Sequence, residues 1–109
     1  MSRFLFIESQ DPFEDQGATA YLGYALELSK QKHAVTVFFV ENGANAVRKG
    51  ANLPLRDALR DAGVEMKVDE LALRERGIVA SRVVDGVASA ELDEMLDLLV
   101  DPETKAIWH

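Results

Sequence analysis

The sequence predicts an α/β fold, with a mostly parallel sheet covered by helices on both faces. Three observations carry this. Strand-like apolar runs alternate with helical patterns along the chain. The two clearest runs, Arg3 to Ile7 and Val35 to Val40, are apolar at successive positions. That pattern suits strands buried on both faces, as in a parallel sheet. Finally, the 109 residues, 48% hydrophobic and 28% charged, suit one domain over residues 1–109. A domain of this size buries roughly two thirds of its unfolded surface.

The first run, Arg3-Phe4-Leu5-Phe6-Ile7, is broken by Ser9-Gln10-Asp11-Pro12. A helix follows, with Ala18, Tyr21, Leu22, Ala25, Leu26 and Leu28 on one stripe. Asp11, Glu14 and Asp15 precede it and Lys30 and Lys32 follow, as the helix dipole favours. Gly17 and Gly23 weaken it by about 1 kcal/mol each in a helix interior and suggest close packing on the sheet or on a neighbouring subunit. Of Tyr21 and Tyr24, one is expected to face the sheet and the other a subunit. Val35 to Val40 reads as a central strand, and Glu41-Asn42-Gly43 as a turn. Ala44 to Lys49 reads as a short helix closed by Gly50.

Pro54 opens the next helix, with Asn52 as a candidate cap and Leu55, Ala58, Leu59 and Ala62 as its buried stripe. Gly63 ends it. Val64 to Val68 is a strand, and Asp69 to Arg76 a short charged helix stopped by Gly77. Ile78 to Val87 suits either a short strand or a packed loop, with Asp85-Gly86 as a turn. Ser89 is a candidate N-cap for the last helix, whose stripe is Leu92, Met95, Leu96, Leu99 and Val100. Asp101-Pro102 stops that helix, and Lys105 to His109 reads as a final strand.

Composition narrows the function. Twelve basic and 19 acidic residues give a net charge of −7, with no basic run longer than Arg48-Lys49. Such a surface repels nucleic acid and anionic membrane. No segment approaches the roughly 20 apolar residues of a membrane span, and the start of the sequence does not read as a signal peptide. The absence of cysteine excludes disulfides, thiolate metal sites and thiol chemistry in this chain. The cytoplasm is the expected compartment. The glycines form no nucleotide-binding run and the serines sit in no nucleophile elbow, so no cofactor is expected.

Several stretches together are similar to the DsrE/DsrF-like family of sulfur-relay proteins, which includes the Tus-type subunits. They are Phe4-Leu5-Phe6-Ile7, then Lys32-His33-Ala34-Val35-Thr36-Val37-Phe38-Phe39, and Glu41-Asn42-Gly43-Ala44 with Lys49-Gly50. Ala62-Gly63-Val64 leading to Arg76-Gly77-Ile78, and the Glu91 to Val100 helix with its following strand, complete the set. The resemblance implies a three-layer sandwich whose five strands are ordered 4-3-2-1-5. It implies homo- or hetero-oligomers, commonly trimers or hexamers. It also implies a persulfide-carrying cysteine eight residues before the glycine of the Arg-Gly pair. Counting back from Gly77 reaches Asp69. A carboxylate cannot hold and pass on sulfane sulfur, so persulfide transfer through this chain is excluded.

The binding candidates are therefore Asp69, Glu70, Arg74, Arg76, Glu8 and Glu41, with no catalytic residue assigned. Asp69 suits a general base, an anion-excluding charge or a metal ligand. It equally suits the N-cap of the following helix. Glu8, Glu41 and Asp69 all follow strands, so their carboxylates should gather at one sheet edge. Oxygen-rich clusters can hold magnesium or calcium, although three solvated loop acids account for them as well, and no metal is assigned. Arg74 and Arg76, with Lys67 nearby, suit an anion or pairing with Glu70 and Glu75. His33 has no catalytic partner at a recognisable spacing. His109 is expected to fray, and Trp108 to pack into a core or an interface. Taken with the resemblance, the missing cysteine implies a non-catalytic oligomeric or accessory subunit associated with sulfur relay. The alternative is a small-molecule-binding protein or minor enzyme that uses Asp69 as an acid or base.

Overall fold

The chain runs β1 (Arg3–Glu8), α1 (Gln16–Lys30), β2 (Ala34–Phe39), a 3-10 helix (Glu41–Val47), α2 (Pro54–Asp61) and β3 (Glu65–Asp69). It continues through α3 (Glu70–Glu75), a 3-10 turn (Ala80–Arg82), β4 (Val87–Ala90), α4 (Leu92–Val100) and β5 (Thr104–Trp108). These elements come from a computed structural model, which describes residues 2–109. The sheet order is β4-β3-β2-β1-β5, as the resemblance implies. Every pairing is parallel, rather than most of them. Each connection crosses one face of the sheet and returns the chain in the same direction.

Successive residues of a strand point to opposite faces, which explains the unbroken apolar runs. Phe6 of β1 and Val35, Val37 and Phe39 of β2 enter the larger core, with Tyr21, Leu22 and Ala25 of α1 and Leu59 of α2. Leu5, Ile7, Phe38 and Val40 enter a smaller core on the other face, closed by Ala90 and by Met95 of α4. Three layers result: α1, α2 and α3 on one side, the sheet, and α4 on the other.

Local structure departs from the sequence expectations at several places. Glu41-Asn42-Gly43 is the first turn of the 3-10 helix, not a turn preceding a helix at Ala44. Gly43 is pressed against the Glu8 carbonyl so closely that a Cβ there would collide with its oxygen. Gly23 has open space around its Cβ position, so close packing within the chain does not explain it. In α2, Arg56 is buried with Leu59, while Ala62 is exposed. The Arg56 Nη1 donates to the Ala46 carbonyl at 2.7 Å and the Ala51 carbonyl at 3.1 Å, tying α2 to the 3-10 helix and to the loop that follows it.

Caps differ as well. Asp15 caps α1, accepting from the Gly17 N–H at 2.7 Å. Ser89 lies within β4, and Leu53 rather than Asn52 occupies the N-cap position of α2. Pro54 stands in the first turn of α2 as expected. On α4 only Met95 is buried, and Leu92, Leu96, Leu99 and Val100 are exposed although they fall on the apolar stripe.

Candidate functional site

Parallel strands present their carboxyl ends on one side of the sheet, where following loops and helix starts converge. β3 reaches that edge with Asp69, which passes directly into α3. The Asp69 side chain accepts the Ala72 N–H at 3.3 Å, as an N-cap does. Gly77, at φ +65°, turns the chain away after α3.

An open cleft of about 550 Å³ lies beside Asp69. Its polar groups are Glu41, Asn42, Asp69, Glu75 and Arg76. Its apolar wall includes Val40, Leu71, Leu92, Met95 and Trp108. Arg76 spans α3 and the 3-10 helix: Nη1 donates to the Ala72 carbonyl at 3.1 Å and Nη2 to Asn42 Oδ1 at 2.8 Å. Glu41 enters the 3-10 helix at φ +50°, a backbone region that side chains other than glycine rarely occupy.

The sequence candidates divide by this geometry. Asp69, Glu41 and Arg76 share the cleft. Glu70 and Arg74 lie along a separate groove of about 420 Å³, with Leu73 and Ile78. They face each other at 3.7 Å one helical turn apart, an exposed pair. Lys67 is not brought to the arginines. It bonds Glu94 of α4 and lies 3.4 Å from Glu65, and the Glu94 hydrogen bond holds its pKa above the usual lysine range. Among the described residues, no three His, Asp or Glu side chains converge as a metal group would require.

Glu8 reaches the same sheet edge but is wholly buried, and its carboxylate turns to His109. The His109 Nδ1 lies 2.9 Å from Oε1 and 3.0 Å from Oε2. The Gln10 N–H donates to Oε1 at 2.8 Å. Burial pushes the Glu8 carboxyl above the usual carboxylate range against the lowering effect of His109. Tyr21 stacks on the His109 ring at 5.0 Å between centroids, and its hydroxyl donates to the Ile7 carbonyl at 3.1 Å and to that of Ile107. Burial, and then the Glu8 charge, push the Tyr21 phenol well above its ordinary range.

Frayed is therefore the wrong description of His109. Its N–H donates to Ile7 at 2.9 Å, and its carbonyl accepts from the Ser9 N–H at 2.9 Å and Ser9 Oγ at 2.7 Å. Sequence spacing did not reveal this cluster, because 101 residues separate Glu8 from His109. The available signal was an acid closing an apolar strand, next to a strand ending in Trp-His. Trp108 is 61% exposed and packs into no core.

The sequence profile of the DsrE/DsrF-like family matches residues 2–103. The chain belongs to the DsrE/DsrF-like family. Solved structures with the same fold include the ychN protein of E. coli, 17% identical, covering all of both chains with a TM-score of 0.90. A protein of unknown function from Methanobacterium thermoautotrophicum is 16% identical, covers all of both chains and has a TM-score of 0.86. A conserved protein of unknown function from Bacteroides thetaiotaomicron is 12% identical over 97% of this chain and 94% of its own, with a TM-score of 0.72. No curated protein matches. This DsrE/DsrF-like chain is cysteine-free. Among its described residues, no helix is long and apolar enough to cross a membrane.

Proposed function

We propose that this chain is a non-catalytic, oligomeric or accessory subunit that works beside sulfur-relay proteins in the cytoplasm and carries no sulfur itself. One observation carries this reading. Asp69 stands at the end of β3, where the family resemblance implies the sulfur-carrying cysteine, and its carboxylate caps α3. The residue sustains the fold at that point but offers no sulfur nucleophile.

Intact-mass measurement after incubation with a persulfide donor tests the chemistry. The native chain is expected to gain no sulfur, and Asp69→Cys to gain reductant-removable sulfur. Reductant-removable sulfur on the native chain would overturn the reading. The exposed apolar residues of α4, with Trp108, support assembly into a trimer or hexamer with itself or related subunits. A monomer by light scattering at micromolar concentration would sink that part.

A second reading is favoured by the cleft itself: a small-molecule-binding protein or minor enzyme with Asp69 as acid or base. Its volume of about 550 Å³ suits a small ligand. Asp69, Glu41 and Arg76 would make the polar contacts there, while Glu70, Arg74 and Glu8 would act from outside it. A thermal-shift screen separates the readings. A binder whose stabilising effect vanishes in Asp69→Ala supports the second; a binder that stabilises both chains equally counts against it.

A further inference from the structure

We propose that Arg48, Lys49 and Arg82 form an anion site, apart from the Asp69 cleft, that takes the phosphate group of a small molecule. The chain leaving the 3-10 helix meets the segment before β4 at one antiparallel bridge, with Arg48 opposite Val83. The Lys49 N–H donates to the Arg82 carbonyl at 2.7 Å, and the Val84 N–H to the Val47 carbonyl at 2.9 Å. Arg82 Nη2 returns to the Lys49 carbonyl at 3.4 Å. Lys49 therefore stands opposite Arg82, with Arg48 beside them, and all of these side chains are exposed. The chain carries 19 acids against 12 bases. Arg3, Arg56, Arg60, Lys67 and Arg74 each pair with an acid. Among the described residues, Arg48, Lys49 and Arg82 do not. Like charges set opposite each other on paired strands are destabilising, so the bridge holds positive charge that its own side chains leave unbalanced. The acids elsewhere do not cancel it, because exposed charges beyond about 8 Å are largely screened at physiological ionic strength.

Arg48 is also held in place. Its Nη2 donates to Asn45 Oδ1 at 2.8 Å, and Asn45 Nδ2 donates to Asp11 Oδ2 at 3.1 Å. The other Asp11 oxygen accepts the Phe13 N–H at 2.8 Å. Asp11 thus fixes Asn45, and Asn45 fixes the guanidinium, whose Nε and Nη1 have no protein acceptor among the described residues. Arg48 and Lys49 border a hollow of about 440 Å³ that Phe13, Asn45 and Gly50 also line. Asp11 is the one acid in that lining, and both its oxygens are engaged. Gly50 leaves open space where a Cβ would stand, so an anion can approach the backbone there. The planar arginine fork matches two phosphate oxygens, and the lysine adds a point charge. Arg82 does not line the hollow, and acts on a bound anion through its charge alone. Phe13, 54% exposed, offers apolar surface to any organic group the phosphate carries.

Thermal unfolding of the full chain tests the site, with inorganic phosphate and phenyl phosphate titrated against sodium chloride of matched ionic strength. A ligand of the folded state raises Tm in a saturable way. The expected result is such a rise with phosphate and none with chloride. Arg48→Gln and Lys49→Gln alter exposed side chains, so both should fold, and both should lose the rise. Asn45→Ala keeps every charge but frees the guanidinium, and should weaken phosphate binding by roughly threefold or more. Tighter binding of phenyl phosphate, equalised by Phe13→Ala, assigns the site to a phosphate monoester. Equal binding in the wild type assigns it to free phosphate. No rise beyond that in chloride overturns the proposal, as does a rise that survives in Arg48→Gln. Full affinity in Asn45→Ala overturns the built site and leaves only a charged surface.

Discussion

Asp69 ends β3 and caps α3 in one residue, its carboxylate 3.3 Å from the Ala72 N–H. Replacing it with alanine leaves that amide without its partner. The expected loss is about 0.5–2 kcal/mol, typical of removing a helix cap. Asp69→Asn and Asp69→Ser should recover most of it. Urea unfolding midpoints measure the series, and an Asn variant as weak as the Ala variant would show that the carboxylate charge, not capping, stabilises this join.

Gly43 and Gly23 should answer the same substitution in opposite directions. Gly43→Ala drives a methyl group into the Glu8 carbonyl and is expected to destabilise by about 1–3 kcal/mol. Gly23→Ala meets open space inside α1 and should stabilise by up to about 1 kcal/mol. Thermal unfolding of both variants provides the comparison. If Gly23→Ala instead weakens a measured oligomer, another chain packs on that face of α1.

Arg56 is buried among carbonyl oxygens and Asp57, whose Oδ1 accepts from its Nη2 at 3.0 Å. Arg56→Ala strands the Ala46 and Ala51 carbonyls and should cost about 2–3 kcal/mol, the scale of lost hydrogen bonds from a charged donor. Arg56→Lys should rescue little, because an ammonium cannot reproduce the planar fork. Chemical denaturation measures both, and full rescue by lysine would reduce the site to a simple charge requirement.

Glu8 predicts a pH dependence of stability. Its folded carboxyl is raised above the usual carboxylate range, chiefly by burial. Between the unfolded and folded values, the native chain holds more protons than the unfolded chain. The Glu8 contribution is therefore fully present below the unfolded value and declines as pH rises through the folded one. Subtracting the Glu8→Gln stability curve from that of the wild type should isolate this decline. A difference that rises with pH over that window would reverse the sign and refute the assignment.

Much of this fold was legible because its signals are local. Two apolar runs marked β1 and β2, the tyrosine and leucine spacing marked α1, and Pro54 marked the start of α2. The strand order needed the family resemblance, since periodicity does not say which strands are neighbours. The stretch from Ile78 to Val87 stayed ambiguous because β4 takes only four residues, Val87–Ala90, of which only Ala90 is buried, too short and too exposed to show a strand period. Arg56 was hidden because an arginine inside a helix reads as solvated unless its carbonyl partners are known. Asp69 and its cap could be read directly, for the partner lies three residues away. The Glu8, Tyr21 and His109 cluster could not, for it exists only after β5 has docked.

That docking has a cost in time. β1 lies inside the sheet, yet one neighbour, β5, begins at Thr104, opposite Arg3. At synthesis rates of roughly 5–20 residues per second, that neighbour follows β1 about 5–20 s later. Pairing so distant in sequence is also slow to form, because a long loop must close before any contact rewards it. Throughout this interval β1 offers an unpaired, strongly apolar edge. A newly made chain is thus most exposed to sticking to another copy or to a chaperone at its first strand, long before the cleft is complete.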